Sequence, residues 1–154
     1  MELKDSVCAQ KAMAYFHEGY NCAQSVFLVF AEQEGISKET ALKLSSSFGA
    51  GMGRMREVCG AVSGMFMAAG LIYGYADPKD QKAKTEHYAR IQELAARFKA
   101  ETGTIICREL LGLDGTSFSH VPEKRTAEYY KKRPCGQMVG MAAAIFEAYQ
   151  KEQA

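Results

Sequence analysis

The sequence predicts an all-α fold, a compact single-domain helical bundle of about six to seven helices spanning residues 1–154. Three observations lead there. Apolar residues recur at helical spacing, as in Tyr88, Ile91, Leu94, Ala95 and Phe98. No segment alternates apolar and polar residues over any length, as a half-buried strand would. Helix-start and helix-stop residues punctuate the chain at intervals suited to ordinary helices. The length of 154 residues is within the range of one domain, and 47% apolar with 24% charged residues suits a packed core rather than disorder.

The elements follow in order. A first helix is expected from about Leu3 to Glu18, closed by Gly19, and a second from Asn21 to Glu34, closed by Gly35. Asn21 can accept a bond from a free backbone N–H at that second start, and Ser37 can do the same for a short helix reaching Leu44. Ser45 to Gly53 is a break, with Gly49, Gly51 and Gly53 close together. A central helix follows from Arg56 to Tyr73. Asp77-Pro78 is a restart, with Asp as cap and Pro at the first helical position, for a helix ending at Glu101 before Gly103. Thr104 to Leu111 is short and apolar, a helical turn or two or a strand. Gly112 to Ser119 is a loop, Pro122 opens a helix to Lys132, and Pro134 opens the last one, to Lys151.

Composition excludes some functions. Lys and Arg number 19 against 18 Asp and Glu, so the basic footprint of a nucleic-acid binder is missing. The charged opening Met1-Glu2-Leu3-Lys4-Asp5 has no apolar run like that of a signal peptide, so a cytoplasmic location is expected. Val58 to Ala76 carries no charge, but its glycines dilute its apolar character, and a buried central helix without membrane insertion is the expectation. Gly60/Gly64, Gly70/Gly74 and Gly136/Gly140 each lie four apart. Such pairs make flat helix faces for close packing, with a homodimer seam as a further use.

Five cysteines are the chemically telling residues. Cys8, among Val7, Ala9 and Ala12, reads as a small buried hydrophobe. Cys22 and Cys135 fall in predicted first turns, Cys59 lies behind Arg54 and Arg56, Cys107 precedes Arg108, and Lys132 and Arg133 precede Cys135. Helix N-termini and nearby cations both lower a thiol pKa, and the thiolate is the form that exchanges disulfides and binds metal. Cys-x-x-Cys is absent, and so are the usual zinc knuckles and the c-type haem motif. Four separate cysteines can meet only through tertiary structure. They suit two thiol pairs, one metal cluster, or four core residues alike.

The segments Tyr20-Asn21-Cys22-Ala23, Phe48-Gly49-Ala50-Gly51-Met52-Gly53, Cys59-Gly60-Ala61-Val62-Ser63-Gly64, Ile106-Cys107-Arg108 and Arg133-Pro134-Cys135-Gly136 together resemble the C_GCAxxG_C_C family of redox-active proteins, over about Tyr15 to Tyr149. The box here reads Cys-Gly-Ala, whereas the family label spells Gly-Cys-Ala. The resemblance implies a small helical protein with a redox role. A related region in split-Soret cytochrome c adds an iron–sulfur or other metal centre to the alternatives.

Three functions stay open at this point. The first is thiol–disulfide exchange or electron transfer by Cys22, Cys59, Cys107 and Cys135, with a redox partner protein or a small thiol. Order along the chain pairs Cys22 with Cys59 and Cys107 with Cys135. The second is zinc or an iron–sulfur cluster on the same four cysteines, with Gly60 and Gly64 as cofactor-binding positions and His17 or His120 as further ligands. The third is a non-catalytic helical interaction protein. The methionines near the cysteine helices read as core filling. The glycines at 49, 51 and 53 read as a flexible turn that lets the Cys59 helix pack closely and exposes Cys59, rather than as a phosphate cradle.

Overall fold

The computed structural model describes residues 2–115 and 118–154. Within them the fold is all-α, with no strand, and six helices of seven residues or more. These are α1 (Val7–His17), α2 (Cys22–Gln33), α3 (Lys38–Ser45), α5 (Gly60–Tyr73), α6 (Gln81–Thr102) and α9 (Cys135–Gln153). The shorter α4 (Gly49–Met52), α7 (Cys107–Leu110) and α8 (Ala127–Lys132) lie between them.

Local capping sets most boundaries. Asn21 accepts the Gln24 N–H while the Gln24 side chain accepts the Asn21 N–H, a reciprocal cap that starts α2 at Cys22. Ser37 caps α3 through the Thr40 N–H. Four predicted starts move, three of them with a local capping residue. Ser6 takes the Ala9 N–H, so α1 begins at Val7, and Leu3–Asp5 forms a separate 3₁₀ turn. Asp80 rather than Asp77 caps α6, because Asp77 instead accepts the Lys79 N–H in a tight turn. Thr126 starts α8 at Ala127, well after Pro122.

The central helix starts at Gly60 and not at Arg56 for a tertiary reason. Arg56 has φ 59°, outside the right-handed helix, and Val58 bridges Ile106 in antiparallel fashion. That bridge also resolves the ambiguous Thr104–Leu111 segment: Ile106 pairs like a strand, and Cys107 then begins one helical turn.

Helix α2 is apolar on almost every face and is buried from Val26 to Ala31. Such a helix belongs in the centre, and α1, α3, α5 and α9 pack around it. Phe30 of α2 meets Phe146 of α9 edge to face, with centroids 4.7 Å apart. The box glycines bring α5 onto α2. A Cβ on Gly64 would lie 2.7 Å from the Ala23 carbonyl oxygen, and one on Gly60 would lie 3.0 Å from the Cys22 Cβ. A Cβ on Gly140 would crowd Met13 of α1, whereas Gly70 has nothing within 4 Å. No helix of the described residues is long and apolar enough to cross a membrane.

Candidate functional site

Each of the four selected cysteines stands at a helix N-terminus. Cys22 is the first residue of α2, Cys59 caps α5, Cys107 opens α7 and Cys135 opens α9. The fold points these starts at one place. Two backbone segments hold Cys59 and Cys107 side by side: the Cys59 N–H donates to the Ile105 carbonyl at 2.7 Å, and the Cys107 N–H donates to the Glu57 carbonyl at 2.6 Å. Gly60 brings Cys59 against the start of α2. All four cysteines line a single cavity of about 60 Å³, with Arg56, Arg125, Tyr129 and Met138 among the other walls. That volume holds a few waters or the end of a small molecule.

The chain at positions 50–56 is bent tightly to make this wall. Ala50, Met52, Arg54 and Arg56 all have positive φ, although none is glycine. Each such residue costs about 1–2 kcal/mol, and strain of this kind concentrates at functional sites. Gly51 is required twice over. Its φ is +73°, and a Cβ there would lie 2.6 Å from Arg56 Cα and 2.7 Å from Cys107 Cβ. The glycine-rich turn thus brings backbone up to the Cys107 side chain. It does not expose Cys59, which is only 6% accessible because α2 and the Ile105 segment cover it.

The four thiols differ sharply in acidity. Cys135 is the one cysteine that is only partly buried. The Cys22 S–H donates to it, and Arg133, Arg56 and Arg125 add positive charge, so its pKa falls to about 7 despite its partial desolvation. The same hydrogen bond holds the Cys22 thiol well above its ordinary range, and full burial pushes it further up. Burial drives Cys59 up to about 12, outweighing the N–H groups of Val62 and Ala61 that favour its thiolate. Cys107 is also raised by burial, although Arg56 Nη1 donates to its Sγ at 3.7 Å. Of the four thiols at helix starts, only that of Cys135 is lowered. Desolvation exceeds the helix-terminus effect wherever the sulfur is fully enclosed.

Of the other candidate residues, only Gly60 lines the cavity. Cys8 is a core residue on α1, raised to about 11 by burial. His17 packs on Tyr130, and His120 lines a neighbouring cavity. Gly60 lines the cysteine cavity, while Gly64 faces the Ala23 backbone. The cation on Cys107 is Arg56, not its sequence neighbour Arg108, which pairs with Glu57 at 3.1 Å. Arg125 and Tyr129 carried no sequence signal, since only the return of the 118–134 segment brings them to this wall.

The cavity supplies sulfur donors suited to zinc or an iron–sulfur cluster. Among the described residues, however, no three Cys, His, Asp or Glu side chains are grouped closely enough to hold a metal ion. As arranged, the donors do not fit a metal centre. All five cysteines are free thiols, and the strongest mutual influence on acidity is between Cys22 and Cys135, across the pairing that chain order suggests.

A family model described as "Putative redox-active protein (C_GCAxxG_C_C)" matches residues 20–149. No curated protein and no solved structure matches the chain.

Proposed function

Because the chain belongs to the C_GCAxxG_C_C family, described as redox-active, we propose that it carries out thiol–disulfide exchange, with Cys135 as nucleophile and Cys22 as resolving thiol. The observation that carries this reading is the asymmetric pair on one cavity: Cys135 is partly accessible and its thiol is lowered, with Cys22 the largest cause, whereas Cys22 is buried and raised. A thiol lowered to about 7 lies near the optimum for an attacking thiol at neutral pH.

The steps balance as follows. The Cys135 thiolate attacks one sulfur of a disulfide R–S–S–R′. A Cys135–S–S–R bond forms, the original S–S bond breaks, and R′–S⁻ leaves and takes a proton from solvent. Conversion of Cys135 to a mixed disulfide removes the negative charge that disfavoured ionisation of Cys22. Cys22 then loses its proton and attacks the Cys135 sulfur. The Cys22–Cys135 disulfide forms, and R–S⁻ leaves with that proton. Two protein thiols are oxidised and one substrate disulfide is reduced to two thiols.

Cys59 and Cys107 line the same cavity as a second dithiol, kept protonated by burial. Attack by one of them on the Cys22–Cys135 disulfide, followed by closure of a Cys59–Cys107 bond, passes two electrons and two protons to the first pair and restores its thiols. Gly60 permits the close approach of Cys22 and Cys59 on which such an exchange depends. A redox partner protein, or a small thiol in its oxidised form, supplies the disulfide.

Intact mass spectrometry of protein purified without air or added reductant, then exposed to a small disulfide, tests this function. The expected product has lost two hydrogens, and peptide mapping places the bond at Cys22–Cys135. A mass increase matching metal, or iron plus sulfide, on the isolated protein would replace this reading with a four-cysteine centre.

A further inference from the structure

A second cavity of about 270 Å³ adjoins the cysteine cavity and shares Asn21, Ala50, Arg56, Arg125 and Tyr129 with it; Arg54, His120 and Glu123 complete its charged and titratable lining. Its charge is unbalanced. Arg54 pairs with Glu123 at 3.6 Å, and Arg133 reaches the same carboxylate at 2.5 Å. Arg56 and Arg125 have no carboxylate partner among the described residues. Arg125 donates to the Phe16 carbonyl at 2.5 Å and to the Tyr20 carbonyl at 2.6 Å, and its guanidinium lies over the Phe16 ring. These contacts fix it in place without neutralising it.

Arg56 is the more telling residue. It is 7% exposed, it donates one N–H to Cys107 Sγ, and its buried Nε has no hydrogen-bond partner. A guanidinium this buried, lacking both an ion pair and one hydrogen bond, is costly unless an anion accompanies it. The glycine-rich turn holds it in that position through a strained left-handed backbone. The helix starts of α2 and α9 add positive potential from the cysteine side.

We propose that this second cavity binds the carboxylate of an acidic low-molecular-mass thiol or disulfide, held by Arg56 and Arg125 so that the ligand's sulfur lies at Cys135. The assignment rests on the thiol-exchange reading and names the substrate class for the same site. For a symmetrical acidic disulfide, one half bonds to the Cys135 sulfur, and the other leaves as its thiolate and is protonated by solvent.

The test compares three small disulfides on the reduced full-length chain at low ionic strength: dithiodipropionate (dianionic), bis(hydroxyethyl) disulfide (neutral) and cystamine (dicationic). The readout is the rate at which the free Cys135 thiol is consumed, as mixed disulfide or as the Cys22–Cys135 disulfide, by peptide mass. The anionic probe should react at least about tenfold faster than the cationic one, and high salt should erase most of that preference. Arg56→Gln should shrink the preference several-fold, and Glu123→Gln, on an exposed side chain, should enlarge it. Equal rates for the three probes would overturn the anion pocket while leaving thiol exchange standing. A preference unmoved by either substitution would also overturn it, and Glu123→Gln decides alone if Arg56→Gln fails to fold. Absence of reaction at Cys135 with every probe would overturn the exchange reading and this inference together.

Discussion

Replacing Cys22 by Ala removes the strongest single influence on the acidity of Cys135. The Cys135 pKa lies at about 7 against an ordinary thiol value of 9.0, and the hydrogen bond from Cys22 is the largest cause. That lowering corresponds to about 3 kcal/mol in favour of the thiolate. A hydrogen bond to a charged group contributes about 1.5–3 kcal/mol, so its loss should move the pKa up by about one to two pH units. The arginines keep the rise from going further. At pH 7 the thiolate fraction falls from about one half to about one tenth or less. The remaining thiolate is intrinsically more nucleophilic, so the net rate falls only about two- to sixfold. The assay is iodoacetamide alkylation of reduced protein across pH 5.5–10 (about the range a buffered series allows), with the Cys135 peptide quantified by mass. A midpoint that stays near pH 7 in Cys22→Ala would refute the hydrogen-bond argument and assign the acidity to the arginines and the α9 helix start.

Three further outcomes follow from the same contacts. Gly64→Ala should destabilise the protein by about 1–3 kcal/mol, because its Cβ meets Ala23 backbone; Gly70→Ala, at a position open to solvent, should instead stabilise it by about 0.5–1 kcal/mol. Denaturant midpoints distinguish them, and a matching loss in both would sink the packing argument. Gly51→Ala combines a positive φ with backbone overlap and should cost about 2–4 kcal/mol while disturbing the alkylation profile of Cys135. Stability should also fall on the alkaline side. Cys59 has its folded pKa raised to about 12, so its contribution is complete below its unfolded value near 9 and is lost as pH rises towards 12, up to about 4 kcal/mol. Cys135 acts oppositely: its contribution is present above the unfolded value and is lost as pH falls through about 7. Thermal unfolding of Cys59→Ala should show a flatter alkaline limb than that of the parent, and parallel limbs would contradict the assignment.

The all-α architecture was legible because caps act locally. Asn21, Ser37 and Pro134 mark α2, α3 and α9 within the residues next to them, and each helix begins there. The same local chemistry placed Cys22 and Cys135 at helix starts. The start of α5 was not legible, since the left-handed Arg56 and the Val58–Ile106 bridge depend on a segment distant in sequence. Nor could spacing separate Gly60/Gly64, pressed against α2, from Gly70, where a side chain would point into open space. The meeting of four cysteines in one cavity, and the division of their acidities, are consequences of tertiary burial. Arg125 and Tyr129 reach the wall through an aperiodic stretch whose pattern carried no hint of it.

The most direct measurement is to trap the first chemical intermediate. Reduced Cys22→Ser protein is mixed with a small disulfide at pH 7, quenched with acid and mapped by peptide mass. Without its resolving thiol, the protein should accumulate one adduct, on Cys135, while the parent chain passes on to the Cys22–Cys135 disulfide. Adduct formation at Cys8, Cys59 or Cys107 in preference to Cys135, or none at all, would contradict the central claim that this partly exposed, acidic thiol is the nucleophile.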